Sequence, residues 1–395
     1  MNKSNRNQIF TLKGFYLLTF FGVGSLTPLL SVYLSEVAHL SGSQIGTIMS
    51  IGPIVMIFFQ PLWGMVSDKT NRPTLVLGIT TFLAGVFALG YLPVGNYIGF
   101  FLVAFLVAVF QSAIIPVSDS ISLKYTSKVG YDYGNIRLYG SLGFGLAVFL
   151  MGRFSEGAIG PTIIFYSFFA CLVIAAFISI GFPKEKATVK LDLKAGIKEL
   201  FKIKRFLLFL AVTFLVFGPN LANNTYFGLF VEDSGGTYAG IGLAFLIAVL
   251  SEVPFMRLAG NWINRFGLLT VALLAGAASL IRWLFYFTEP SLWLLYGSSV
   301  MQGLAIGLFI PAGLQYIRDI TPAHITATAV TIYSAIGNGL GNWFSTFVGG
   351  FVMENFSIYA VYLFFALLSF IGVLLCFVLM KEEKNQTIAY VKASS

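Results

Sequence analysis

Four ionisable side chains stand in or beside long apolar runs. They are Asp119 in "IIPVSDSISLKY", Arg137 in "DYGNIRLYGSLGFGL", Glu252 in "AVLSEVPF" and Arg282 in "SLIRWLFY". At a bilayer centre each charge costs ~2.5–3.5 kcal/mol on insertion scales, so one that persists there has a partner or a task. A carboxyl beside a guanidinium can carry a proton, because burial raises a carboxyl pKa and a nearby cation lowers it. A guanidinium beside amides and rings can hold a hydroxylated solute or a carboxylate.

The composition puts these runs in lipid. The 395 residues are 57% hydrophobic and 10% charged, with 41 Phe and a mean hydropathy of +0.86. Soluble domains carry about 25% charged residues. Apolar runs long enough to span a bilayer predict twelve helices, at about 10–34, 43–63, 73–92, 97–122, 135–154, 161–182, 206–230, 238–259, 268–288, 291–317, 326–350 and 357–380. The first run is too long for a signal-peptide core and has no small-residue cleavage site, so it is expected to stay as a helix. Cys171 and Cys376 lie inside runs and make no disulfide framework. His39 and His324 fall in loops, expected to be solvated, with no second ligand at metal spacing.

The two halves repeat. "IRLYGSLGFGL" from 136 matches "VTIYSAIGNGL" from 330, with Tyr139 and Tyr333 offset by 333 − 139 = 194. Pro116 and Pro311 are offset by 195 (311 − 116), and Gly64 and Gly260 by 196 (260 − 64). Three ordered matches at one offset predict an all-α membrane protein of two pseudo-symmetric six-helix bundles. Residues 1–182 and 206–395 form the bundles, and the charged stretch 183–205 is a cytoplasmic linker with a short amphipathic helix. Duplicated transporters place the solute site between halves near the midplane.

Lys and Arg set the orientation. With a cytoplasmic N-terminus, Lys3, Lys69, Arg72, Lys128, Arg265, Arg318, Lys381 and the linker bases fall inside, while Glu36, Glu156, Glu232 and Glu354 fall outside. Both termini are then cytoplasmic. Orientation accounts for the net charge of +8, which is no nucleic-acid signal.

Depth can be read from spacing. Asp119 and Arg137 are each nine residues from Lys128 at the helix 4–5 turn (128 − 119 and 137 − 128), so they reach similar depths. They either pair or sit at the interface, with Arg137 as an anchor. Glu252 lies ~12 Å in from Gly260 and Arg282 ~21 Å in from Leu268 at the helical rise. Either pair could be a proton site or a structural salt bridge. Asn223 and Asn224 on helix 7, Gln302 on helix 10, and Asn338 and Trp343 on helix 11 are polar and aromatic pocket candidates; each could instead be interhelical glue. Gly218-Pro219 is expected to kink helix 7.

"GMVSDKTNRP" joins helices 2 and 3. Gly64 is expected to let helices pack closely, Asp68 to cap the next helix or pair with a base, and Lys69 and Arg72 to hold the headgroups. The segment resembles the signature loop of the major facilitator superfamily, which implies a conformational latch. The second copy has Asn264 in place of the acid, so a latch would be stronger in the first half. "RLYGSLGF" resembles the fifth helix of the lactose permease family, and "DYGNIRLYGS", "SEV" and "RW" are similar to its phenylpropionate permease branch. The resemblance implies that Arg137 and Asp119, eighteen residues earlier (137 − 119), bind solute and that Phe144 stacks on it. It places Gln302 and Ala305 where that family carries its coupling His and Glu, so that relay does not transfer. Glu252, with Asp119 second, is then the expected proton carrier, with Arg282 alongside.

These features predict a proton-coupled importer of a sugar or oligosaccharide, a nucleoside or an aromatic acid. It would be a monomer in a bacterial inner membrane, driven by the proton gradient without a cofactor. An exporter is disfavoured by the absence of a Gly-Pro antiporter signature in helix 5, and a receptor by the lack of a soluble output domain. No nucleophile–base set, metal spacing or phosphate loop supports an enzyme.

Overall fold

The computed structural model describes residues 3–183 and 198–394. Of the linker, residues 184–197 lie outside the described set, and 198–200 are helical. The helices are α1 (Lys3–Glu36), α2 (Gly42–Thr70), α3 (Pro73–Ala88), α4 (Tyr97–Val129), α5 (Gly134–Ser155) and α6 (Ile163–Ser179), then α7 (Lys204–Asp233), α8 (Tyr238–Phe266), α9 (Leu268–Phe287), α10 (Leu292–Ile320), α11 (326–355) and α12 (Ile358–Ser394). Among the described residues, eleven of these have helices long and apolar enough to cross a membrane. The remaining one, α11, is an α-helix over Thr326–Ser334, a π-helix over Ala335–Gly341 and an α-helix over Asn342–Asn355. Its sequence is apolar enough to be read as one span, but three glycines in seven residues let the backbone widen. Such wide turns recur at functional sites.

Local chemistry sets several boundaries. Ser41 and Gln44 make a reciprocal cap at the start of α2. Asn96 accepts from Gly99 N–H at 2.8 Å to begin α4, and Gly130, at φ +65°, ends it. Between α2 and α3, Arg72 stands at the N-cap and Pro73 at the first helical position.

The chain forms two compact units, Met1–Val189 with Asn224–Leu246, and Lys190–Asn223 with Ile247–Ser395. In the first, α1 packs on α5 and α6, α2 on α4, and α3 on α4 and α6. The segment 224–246 joins it through glycine contacts. A Cβ at Gly242 would lie 2.7 Å from the Val148 carbonyl oxygen, and one at Gly228 would lie 2.8 Å from Val32. Glu36 accepts from Tyr238 Oη at 2.5 Å, and Glu156 from Ala239 N–H at 3.0 Å. In the second unit, α9 packs on α10 and α12.

The sequence repeat extends into packing. Gly24 meets the Phe144 backbone of α5, with a built Cβ 2.7 Å from its carbonyl oxygen. Its counterpart Gly218 (218 − 24 = 194) meets the Gly341 backbone of α11 at 2.6 Å. Gly143 lies against the Leu17 carbonyl, while its counterpart Gly337 (337 − 143 = 194) lies against Phe217 and Thr213. Each unit thus carries the same small-residue crossing, which brings two backbones close where lipid supplies no hydrophobic drive.

Candidate functional site

In the first unit the charges are arranged by aromatic residues. Asp119 is half-buried on α4, and its Oδ1 accepts from Tyr16 Oη of α1 and, at 2.7 Å, from Tyr133 Oη just before α5. The Arg137 guanidinium carbon lies over Phe20, 4.2 Å from the ring centre, and its Nη1 lies 3.2 Å from a Cβ built at Gly140. Tyr16 and Phe20 are one turn apart on α1 and stack at 6.3 Å and 9°. The equal depth expected of Asp119 and Arg137 therefore does not produce a direct ion pair among the described residues. Phenols reach the carboxylate first, and a ring face takes the guanidinium. Burial, then the charge of Asp119, pushes the Tyr133 phenol well above its ordinary value, so it remains a donor. Phe144 is half-buried seven residues beyond Arg137, with its backbone against Gly24.

In the second unit Arg282 is fully buried on α9. Its Nε donates to Tyr286 Oη at 3.0 Å and its Nη2 to Gln302 Oε1 at 2.8 Å. Asn223 Nδ2 of α7 donates to the same Gln302 oxygen at 3.3 Å, and Tyr362 Oη of α12 donates to Asn223 Oδ1 at 3.3 Å. The guanidinium carbon lies 4.8 Å from the Trp283 ring centre and 5.0 Å from that of Tyr286. Trp283 stacks on Tyr362 at 5.8 Å. Among the described residues, three polar atoms in this neighbourhood have no hydrogen-bond partner: Arg282 Nη1, Trp283 Nε1 and Asn220 Oδ1. The partners of Arg282 are thus neutral, where the sequence had suggested an acid. A buried cation left this way, with a free donor beside amides and ring faces, has the chemistry to accept hydroxyl or carboxylate oxygens.

Glu252 reaches this network through the backbone. Gly303 follows Gln302 on α10, and a Cβ there would lie 2.6 Å from Glu252 N and against Ser251 Oγ. Gly307, one turn on, would bring a Cβ within 3.0 Å of Glu252 O. The close α8–α10 crossing therefore passes beside the residue that holds Arg282.

The other expected residues lie apart from these clusters. Asn224 is half-buried on α7, in the first unit. Asn338, in the π segment, donates to Ser334 Oγ at 2.9 Å, and Trp343 stacks on Phe347 at 5.8 Å. Pro219 is accommodated within continuous α7. Among the described residues nothing lies within 4 Å of a Cβ built at Gly64, so the close packing expected there is not seen, and Gly260 is equally open. Asp68 does not cap α3, because Arg72 occupies the cap position; Asp68, Lys69 and Arg72 are exposed. His324 is exposed in a loop, as expected, and meets Glu199 at 3.1 Å. Sequence reasoning missed Tyr16, Phe20, Tyr133, Tyr286 and Tyr362. Only the i, i+4 spacings of Tyr16 with Phe20 and of Arg282 with Tyr286 signalled them.

These sites sit in a chain with clear relatives. It is 52% identical over 385 residues to YwbF, an uncharacterized transporter of Bacillus subtilis (strain 168), covering 98% of this chain and 96% of that one. It is 46% identical over 381 residues to the maltose permease of Geobacillus stearothermophilus, covering 96% of each. The solved structure of the nucleoside transporter NupG superposes with a TM-score of 0.84 at 21% identity, over 95% of this chain and 99% of that one. Residues 9–364 match the MFS_1 like family. With its helical spans and internal repeat, the chain belongs to the major facilitator superfamily, as a multi-pass secondary transporter of small solutes and not an enzyme.

Proposed function

We propose that this transporter imports an oligosaccharide of the maltose type together with protons, by alternating access. The observation that carries the reading is the fully buried Arg282, held by the amide of Gln302 and walled by Trp283, Tyr286 and Tyr362, with Nη1 still without a partner. Amide, guanidinium and ring faces together suit a neutral, hydroxyl-rich solute. The maltose permease at 46% identity supports the sugar class. Arg282, Gln302 and Asn223, with Asn224, Asn338 and Trp343, contribute binding groups from the second half (206–395). Asp119, Arg137 and Phe144 contribute them from the first (1–182), and 183–205 links the halves.

Coupling rests on two intramembrane carboxyls. Protonating Glu252 acts at the α8–α10 crossing beside Gln302, and so on the group that holds Arg282. Protonating Asp119 weakens the charged acceptor shared by α1 and the start of α5. The loop of Gly64, Asp68, Lys69 and Arg72 serves as a latch. Both termini face the cytoplasm in the bacterial inner membrane, the protein acts as a monomer, and the proton gradient is the only driving force, with no cofactor.

Proteoliposomes test this directly. Adding maltose outside is expected to alkalinise the outer medium as the sugar enters. Sugar uptake with no proton movement removes symport, and no uptake of any α-linked disaccharide removes the substrate class. Glu252→Gln is expected to keep sugar exchange and lose uphill accumulation; full accumulation would move the proton to Asp119, where Asp119→Asn repeats the test.

A further inference from the structure

The opening turns of α1 and the segment before α5 bound a cavity of about 520 Å³. Its walls include Arg6, Asn7, Phe10, Thr11, Lys13 and Tyr131. Among the described residues no acid lines it, and the ion pairs found there include neither Arg6 nor Lys13. The nearby acid, Asp132, accepts from Gly134 N–H at 2.9 Å. Arg6 and Lys13 are seven residues apart, close to two turns, so they share one face of α1 with Phe10 between them. Lys13 is held in place, its ammonium 5.5 Å from the Tyr131 ring centre and 4.9 Å from that of Tyr139. Phe10 is 78% exposed on the same stripe.

The chemistry has two parts. Two uncompensated cations face a cavity of small-ligand size, and an exposed ring lies where the first apolar span begins. A free anion would use the cations and leave the ring idle. An anionic lipid uses both, and basic pockets at the ends of membrane helices take such headgroups. We propose that this cavity holds the phosphodiester headgroup of an anionic glycerophospholipid, with Arg6 and Lys13 on the phosphate oxygens and an acyl chain along Phe10. The site is separate from the solute residues and does not depend on the substrate assigned above.

The test measures lipid retained by the full chain. Protein reconstituted in mixed phosphatidylglycerol and phosphatidylcholine is returned to mild detergent, and bound lipid is counted by native mass spectrometry. Wild type is expected to keep phosphatidylglycerol in preference to phosphatidylcholine. Arg6→Gln is expected to weaken retention about five-fold, and Arg6→Gln with Lys13→Gln more than ten-fold. The charge-matched pair Lys381→Gln with Lys384→Gln should retain lipid as wild type does. Equal retention of the two lipids, or no change in the Arg6 variant, overturns the proposal. In a second arm, inorganic phosphate is added to protein in phosphatidylcholine alone. Thermal stabilisation equal to that from phosphatidylglycerol would mean a free-anion site and also overturn it.

Discussion

Replacing Gln302 with leucine isolates what one amide does for a buried charge. Arg282 is fully buried, with Nε on Tyr286 at 3.0 Å, Nη2 on Gln302 at 2.8 Å and Nη1 without a partner. Leucine keeps much of the bulk and removes the acceptor, leaving both terminal nitrogens bare. A hydrogen bond to a charged group contributes about 1.5–3 kcal/mol, and a buried charged donor left without one forfeits at least that. Asn223 loses the same acceptor, but its bond is longer at 3.3 Å and adds less. Gln302→Leu is therefore expected to lower unfolding free energy by about 2–3 kcal/mol. Arg282→Met removes the charge itself, after which the amide is no longer needed. The double variant should then be less destabilised than the two single losses combined, by about 2 kcal/mol, because an apolar pair of similar shape replaces a buried polar one at little cost. Denaturant unfolding of the four proteins in one detergent gives the cycle. If the losses add to within about 0.5 kcal/mol, the residues are independent, and the account of Arg282 as held by Gln302 is wrong. Sugar uptake should fail in all three variants whatever their stability.

The repeat predicts an asymmetry that stability measurements can check. Gly143→Ala drives a methyl into the Leu17 backbone, 3.0 Å from its carbonyl carbon, and is expected to cost about 1–3 kcal/mol. Gly337→Ala meets only side-chain carbons of Phe217 and Thr213 at 3.0 Å, which can yield, so its loss should be smaller; Gly64→Ala, in open space, is the control. Equal losses at 143 and 337 would contradict the packing. The raised Tyr133 phenol makes its stability contribution complete below pH ~10 and lost as pH climbs through the elevated value. Ultraviolet titration of wild type against Tyr133→Phe reads this, and Asp119→Asn should bring the ionisation part of the way back. The Glu156 carboxyl is lowered by the Ala239 N–H and then by the Thr237 hydroxyl. Its contribution is therefore present above the ordinary carboxylate range and lost as pH falls, so Glu156→Gln should flatten the acid limb of stability against pH.

What the sequence determined by itself was the membrane class, the number of spans and the duplication. Apolar length and the recurrence of Gly143 as Gly337 are local properties of the chain, and burying backbone in lipid leaves a helix as the solution for each run. The intramembrane charges were legible as a set for the same reason, since a charge in an apolar run is costly wherever the run packs. Their partners were not legible. Asp119 found Tyr16, 103 residues away, and Arg282 found Gln302, twenty residues and one helix away. Equal depth along two helices limits reach but does not fix which faces turn together. That choice depended on where Gly143, Gly303 and Gly307 let backbones approach, which then placed rings and amides around the charges before any acid could reach them. The wide turn of α11 was hidden as well, because hydropathy reports that a segment is buried and not how many residues make each of its turns. The signature-loop glycine misled in the opposite direction. Gly64 had the right residue at the right spacing, but only the tertiary structure could tell that, among the described residues, no atom lies within 4 Å of a Cβ built there.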